Sequence, residues 1–193
     1  MPLLPEIGFE EHPGWGVELA ARGGIGVLAG SDARGAFAFG GGLLRGHYGY
    51  VEFGLFYDHA DSQANGGTFS HAGALVGAWL PYHNWVDFEV AAGLGVRHYT
   101  DGDNRYGLNG YTLDAPALSL VAGVSDRAHS SNVGGRVGGQ IVLSQDLKQK
   151  DEPWMLQETS DSGEVVTTRG TTHVGGFSAS LVLVIGLDYG DTP

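Results

Sequence analysis

The sequence predicts an all-β protein, an eight-stranded antiparallel up-and-down β-barrel that crosses a membrane. Three observations carry this: a two-residue beat of apolar and polar positions, segments too long for ordinary soluble strands, and alternating short and long connections. Successive side chains of a strand point to opposite faces, so a period of two means strand. Soluble strands run about 5–6 residues, and about 9–11 are needed to cross a bilayer. The alternating runs here last up to 14 residues, which points to an inside-out protein, greasy toward lipid and polar within.

Taken in order, the first segment is 15–28, with Trp15, Val17, Leu19, Ile25 and Val27 on one face and Glu18, Ala20 and Arg22 on the other. The second, 36–44, shows small residues such as Ala36, Ala38, Gly40 and Gly42 on one face. In the third, 48–59, Val51, Phe53, Leu55 and Tyr57 alternate with Glu52, Gly54, Phe56 and Asp58. The fourth is 69–80. In the fifth, 85–99, Val86, Phe88, Val90, Leu94 and Val96 oppose Asp87, Glu89 and Arg97. The sixth is 113–124, and the seventh, 132–145, sets Val133, Val137, Ile141 and Leu143 against Arg136, Gln140 and Ser144. The eighth, 172–189, has the most apolar core, Leu181 to Leu187, and closes on Tyr189; it reads as the barrel's last strand. Residues 1–14 form an N-terminal periplasmic segment, 15–189 the barrel and 190–193 a C-terminal tail. Met1 to Glu6 lacks the basic and apolar regions of a signal peptide.

The even-numbered connections, 45–47, 81–84 and 125–131, are short, whereas 60–68, 100–112 and 145–171 are longer and polar. Transmembrane barrels have short turns on the periplasmic side and longer loops outside, which puts both termini in the periplasm. Trp15, Tyr48, Tyr82, Trp85 and Tyr189 then fall at the periplasmic ends, and Tyr57, Phe69, Tyr99 and Tyr111 at the outer ends, the headgroup levels that aromatic rings favour.

Composition narrows the function. Gly supplies 34 of 193 residues and mean hydropathy is −0.06, so no stretch makes a transmembrane helix, and only a closed barrel satisfies its backbone in lipid. Twenty-two acidic against ten basic residues argue against nucleic acid, whose phosphates demand Lys and Arg clusters. Cysteine is absent, so the compartment is not fixed by disulfide usage. No cofactor is expected.

Residues 15–189 resemble the small eight-stranded outer-membrane barrels of the OmpA/OmpX type, by architecture rather than by a diagnostic motif. That resemblance implies a bacterial outer-membrane location and says little about function, because the architecture carries anchors, adhesins, lipid enzymes and conduits. A soluble lipocalin-type barrel is the rival fold; it would put Val17, Leu19, Val90 and Leu94 inside.

Chemistry-bearing residues fall in three groups. Glu18, Arg22, Glu52, Asp58, Asp87, Glu89, Arg97 and Arg136, with Gln140, share the inward face of the odd strands. Because lone charges inside a narrow barrel are costly, they are expected to pair across strands lined by Gly, Ala and Ser; a structural salt-bridge core is the plain reading and a gated conduit the functional one. His59, His71, His98 and His173 lie near the outer rim without the tight spacing of a metal site, so no metal is expected. His129-Ser130-Ser131-Asn132 resembles the H-x-S-N signature of the outer-membrane lipid A 3-O-deacylases, which implies an acyl-ester hydrolase with His129 and Ser131 as its pair; a polar turn is the plainer reading. Finally the long segment 145–171 holds Trp154-Met155-Leu156 inside a charged stretch, a candidate contact for a protein partner, lipopolysaccharide or a second copy. The expected role is therefore structural or interactive and not enzymatic, with a narrow channel and an envelope hydrolase as alternatives.

Overall fold

The computed structural model describes residues 14–29, 35–62, 67–82, 86–101, 112–130, 132–159 and 165–190. Among the described residues ten strands form: β1 (Trp15–Ala29), β2 (Gly35–Tyr48), β3 (Val51–Ser62), β4 (Gly67–Tyr82), β5 (Val86–Asp101), β6 (Thr112–Ser130), β7 (Val133–Asp146), β8 (Lys150–Thr159), β9 (Val165–Val174) and β10 (Phe177–Gly190). Each of β1 to β7 pairs antiparallel with its chain neighbour, and β10 fills the gap between β7 and β1 to close an eight-stranded barrel. The seam runs from Gly16↔Gly190 to Ala29↔Phe177. Strands β8 and β9 form a separate two-stranded sheet.

Outward positions make an apolar belt: Val17, Leu19, Ile25, Phe53, Leu55, Val90, Leu94, Leu120, Ile141, Leu183 and Leu187 are all exposed, and Leu187 reaches 69%. The alternate positions are buried, Glu18 and Arg22 among them. Surface of this kind facing water would be a large aggregation liability; facing hydrocarbon it is matched. The lipocalin-type rival, which needs Val17, Leu19, Val90 and Leu94 inside, is excluded.

Four details differ from the sequence expectation. The eighth segment breaks at Gly175–Gly176: residues 172–174 belong to β9, and the barrel strand starts at Phe177. Gly175 has φ +95°, a backbone that side chains other than hydrogen rarely adopt. The long connection 145–171 is largely strand, ending β7 and forming the β8–β9 hairpin. The second strand runs to Tyr48 and the sixth to Ser130, so the stretches 45–47 and 125–131 are mostly strand, not turn. Lastly, the small face of β2 lies outside. Glu18 pairs with Arg45 and Ala20 with Leu43; residues directly opposite share a face, so Phe37, Leu43 and Arg45 point inward while Ala36 and Ala38 meet lipid.

Rim aromatics divide similarly. Trp15 packs edge-to-face on Tyr189 with centroids 6.0 Å apart, and Tyr48 and Tyr57 are exposed. Phe69 and Tyr99 instead lie inside the barrel, 6% and 4% exposed, because their register places them over the outer end of the lumen. Trp85 and Tyr111 lie outside the described residues.

Candidate functional site

The lumen is filled in layers. At the end of the barrel nearer Trp15 and Tyr189, Arg45 is the hub. Its Nη2 donates to Glu18 Oε2 at 2.6 Å, Nη1 to Glu52 Oε2 at 3.3 Å, and Nη1 also to Glu89. Arg136 ties the same carboxylates from the far wall: Nη1 to Glu18 Oε2 at 2.9 Å, Nη2 to Glu89 Oε2 at 3.0 Å, and Nε to Ser125 Oγ at 2.5 Å. The Gln140 amide also donates to Glu89. At the mouth, Arg127 grips Asp87 in a two-pronged pair at 2.5 and 2.9 Å. Its guanidinium lies 4.4 Å from the centroid of the Trp79 ring, which stacks on His47 at 3.9 Å. These side chains line a cavity of about 20 Å³, room for one or two waters.

The next layer is apolar: Ala20, Leu43, Phe56, Leu75, Ala91, Val121, Val142, Val182 and Val184. Beyond it charge returns, now in separate pairs. Arg22 Nε meets Asp58 Oδ1 at 3.1 Å, beside the Phe56 ring, and His71 packs edge-on against Phe56 at 4.7 Å. Arg97 Nη1 reaches Asp146 Oδ1 at 3.4 Å, and its Nη2 donates to Ser178 Oγ at 2.5 Å. Leu28, Phe37, Ala60, Phe69, Tyr99, Leu113, Ala115 and Val174 then seal the outer end.

Glycine makes the cross-strand pairing possible. Arg22 is registered opposite Gly41, and Gly41 opposite Asp58, so the ion pair spans β2. A Cβ at Gly41 would stand 2.6 Å from Asp58 Oδ1, inside contact distance. Gly123 plays the same part between Glu89 and Gln140.

Asp146 links the lumen to the outer hairpin. Its Oδ2 accepts the Tyr99 hydroxyl at 2.5 Å and the Gly176 amide at 2.8 Å. The Asp146 amide donates to Gly176 O at 2.9 Å and the Leu147 amide to Pro116 O at 2.7 Å. A carboxylate with 4% exposure thus fixes both legs of the hairpin, the end of β7 and the start of β10.

The structure brings Glu18, Glu52, Glu89, Arg136 and Gln140 together, Arg22 with Asp58, and leaves Asp87 and Arg97 with partners the sequence reading missed. Those partners, Arg127 and Asp146, together with Arg45, fall in stretches that the sequence pattern reads as connections. Hence the inward charges are not confined to odd strands, and the even strands carry Arg45, His47, His71, Trp79 and Arg127 besides small residues. Uninterrupted alternation through Leu43, Arg45 and His47 was the available signal. His71 is inside, 4% exposed, whereas His59 and His98 face outward; the His173 side chain lies outside the described residues. Among the described residues no three metal-ligating side chains converge. The backbones of His129 and Ser130 end β6; their side chains, and Ser131 altogether, lie outside the described residues. Trp154, Met155 and Leu156 pair with Gly170, Arg169 and Thr168 in the hairpin, their side chains likewise outside the described residues.

No protein-family model and no curated protein matches the sequence. Solved structures do. Neisserial surface protein A is similar over 93% of this chain and 99% of its own, with 12% identity and a TM-score of 0.57. The attachment invasion locus protein of Yersinia pestis, solved with the heparin analogue sucrose octasulfate, is similar over 93% and 99% at 9% identity and TM-score 0.52. The N-terminal β-barrel domain of Pseudomonas aeruginosa OprF is similar over 90% and 97% at 14% identity and TM-score 0.50. Closed by eight strands and belted by apolar side chains, this chain has the fold of the small bacterial outer-membrane β-barrels.

Proposed function

We propose that the protein is a closed, non-conducting barrel of the bacterial outer membrane whose role is structural or interactive and not enzymatic, with the β8–β9 hairpin as its working surface. The observation that carries this reading is the mounting of the hairpin. Two strands of ten residues each stand clear of the barrel ladder, and a buried carboxylate bonded to Arg97, Tyr99 and Gly176 holds their base. A rigid scaffold presenting a loop-borne element is the usual arrangement for recognition. The layered lumen supports the non-conducting half, since eight strands leave space only for their own side chains. Charge narrows the partner: residues 147–171 hold Lys148, Lys150 and Arg169 against Asp151, Glu152, Glu158, Asp161 and Glu164, so a protein surface suits them better than a polyanion.

The test replaces the hairpin by joining residue 149 to residue 175. No barrel ladder bond is lost, and a shortened surface loop has small entropic consequence. The shortened barrel should keep heat-modifiable migration in gels, and cells displaying the intact protein should aggregate or adhere where cells displaying the shortened one do not. Equal behaviour of the two would remove the hairpin from the reading. Current steps from the intact protein in planar bilayers would establish the channel instead. Lipid A that lacks an acyl chain only when the protein is present, and regains it with Ser131→Ala, would establish the hydrolase.

A further inference from the structure

The two edges of the outer hairpin are unlike. Strand β8 reads Lys-Asp-Glu-Pro-Trp-Met-Leu-Gln-Glu-Thr: it has four charges, and Pro153 takes a donor out of its backbone. Charges and proline are the devices by which edge strands avoid further pairing. Strand β9 reads Val-Val-Thr-Thr-Arg-Gly-Thr-Thr-His-Val. Seven of its ten residues are β-branched, it has no proline, and Val165 and Val166 are exposed. Among the described residues it pairs only with β8, so one side of a strand suited to pairing has no ladder, except at its foot, where Val174 is buried in the barrel mouth.

The order of residues in β9 identifies the occupant. Counted inward from both ends, it matches Val165 with Val174, Val166 with His173, Thr167 with Thr172, Thr168 with Thr171, and Arg169 with Gly170. A strand that reads nearly the same in both directions is complementary to itself when antiparallel. The two-fold axis then falls between Arg169 and Gly170, threonines stand opposite threonines, and the two arginines face glycines rather than each other. Thr–Thr and β-branched cross-strand pairs are among the favourable ones. We propose that the outer edge of β9 pairs antiparallel with β9 of a second copy of this chain in that register, turning two hairpins into one four-stranded sheet. Such an interface is isologous, each copy using the same patch. The proposal rests on the hairpin being the working surface and names its partner.

The absence of cysteine allows a clean test with the full chain in detergent, where two barrels are free to take whatever orientation the ladder requires. In the double variant T168C/T171C each new thiol faces the other type on the partner strand. Within one chain the two are three residues apart, about 10 Å in an extended strand, beyond the roughly 7 Å a disulfide can span. Mild oxidation should convert most of this variant from monomer to a covalent dimer. The control T167C/T171C, whose thiols fall on opposite faces in the same register, should stay monomeric. Cross-linking that is equal in the two variants, or absent from the first, overturns the proposal. Heat-modifiable migration of the same samples reports that the barrel is folded. Loss of cell adherence on hairpin excision without cross-linking would leave the hairpin as working surface and reject the second copy as its partner.

Discussion

The two charged layers of the lumen are built from the same residue types and do different things. The layer nearer Trp15 and Tyr189 is a mesh: Arg45 and Arg136 share Glu18 and Glu89, Arg45 also holds Glu52, and Gln140 fills in. Its members come from β1, β2, β3, β5 and β7, so it cross-braces the wall. The outer layer is a set of pairs, each arginine beside an aromatic ring: Arg22 with Asp58 next to Phe56, and Arg97 with Asp146 next to Phe69. One of those carboxylates spends its second oxygen on the hairpin base. The mesh closes the barrel, and the outer pairs orient what stands on it. An apolar layer including Leu43, Phe56 and Val121 keeps the two apart.

The largest effect should come from breaking the mesh at its hub. Arg45→Met leaves Glu52 without its bridge and weakens Glu18 and Glu89; removing one member of a buried pair costs about 3–5 kcal/mol. Urea unfolding followed by the heat-modifiable shift should show a loss of that size, with protease cutting at residues 147–149 unchanged. Adding Glu52→Gln should restore part of the stability, because the orphaned charge is gone. Parity between Arg45→Met and the intact chain would mean that the mesh does not brace the wall.

A second variant probes the wall between the layers. Strand β5 carries Glu89 of the mesh and Arg97 of the outer set, and between them Leu94 faces outward at 65% exposure. Leu94→Arg should cost about 2–4 kcal/mol in a bilayer by putting charge at mid-membrane, with neither network touched. If unfolding from lipid vesicles showed no such loss, the outward face would not be the lipid face.

At the outer layer, Asp146→Ala should divide the effects the other way. Tyr99, Arg97 and the Gly176 amide all lose an acceptor, a cost of about 1–3 kcal/mol for buried donors left unsatisfied. The more telling readout is local: cutting at residues 147–149 and 175–176 should accelerate while the barrel remains heat-modifiable. Faster cutting in Arg45→Met than in Asp146→Ala would reverse the division of labour.

The contrast between the layers also explains what the sequence shows. Lipid demands apolar residues on one face of every barrel strand, so a Glu or Arg on the other face, such as Glu18, Glu52 or Glu89, stands out by alternation. Where the lumen itself turns apolar the contrast vanishes. Leu43 lines the apolar layer beside outward Leu44, and the doublet hides the continuation of β2 to Arg45. Around Ser125 to Ser131 both faces are polar, so the end of β6 and with it Arg127 read as turn. The hairpin lies beyond the membrane, where nothing enforces alternation; β9 is mostly β-branched and β8 irregular. Asp146 falls in the stretch that reads as the long connection, and its partner amide belongs to Gly176, thirty residues on, a relation that no local pattern carries.

The smallest effect should come from an ion pair that looks strong by distance. His98 Nδ1 lies 2.6 Å from Asp114 Oδ1 on the outside of the barrel, closer than Arg97 is to Asp146 on the inside. Yet the two side chains are 48% and 72% exposed, against 3% and 0% for the luminal pair. Water screens the first and is excluded from the second, and exposed pairs contribute about 0–1 kcal/mol. A double-mutant cycle with His98→Ala and Asp114→Ala should therefore give a coupling in that range that fades as salt is raised past the Debye screening regime. The matching cycle at Arg97 and Asp146 should be larger and nearly indifferent to salt. Equal couplings would mean that contact distance, rather than exclusion of water by the aromatic and apolar layers, sets the strength of the lumen's ion pairs.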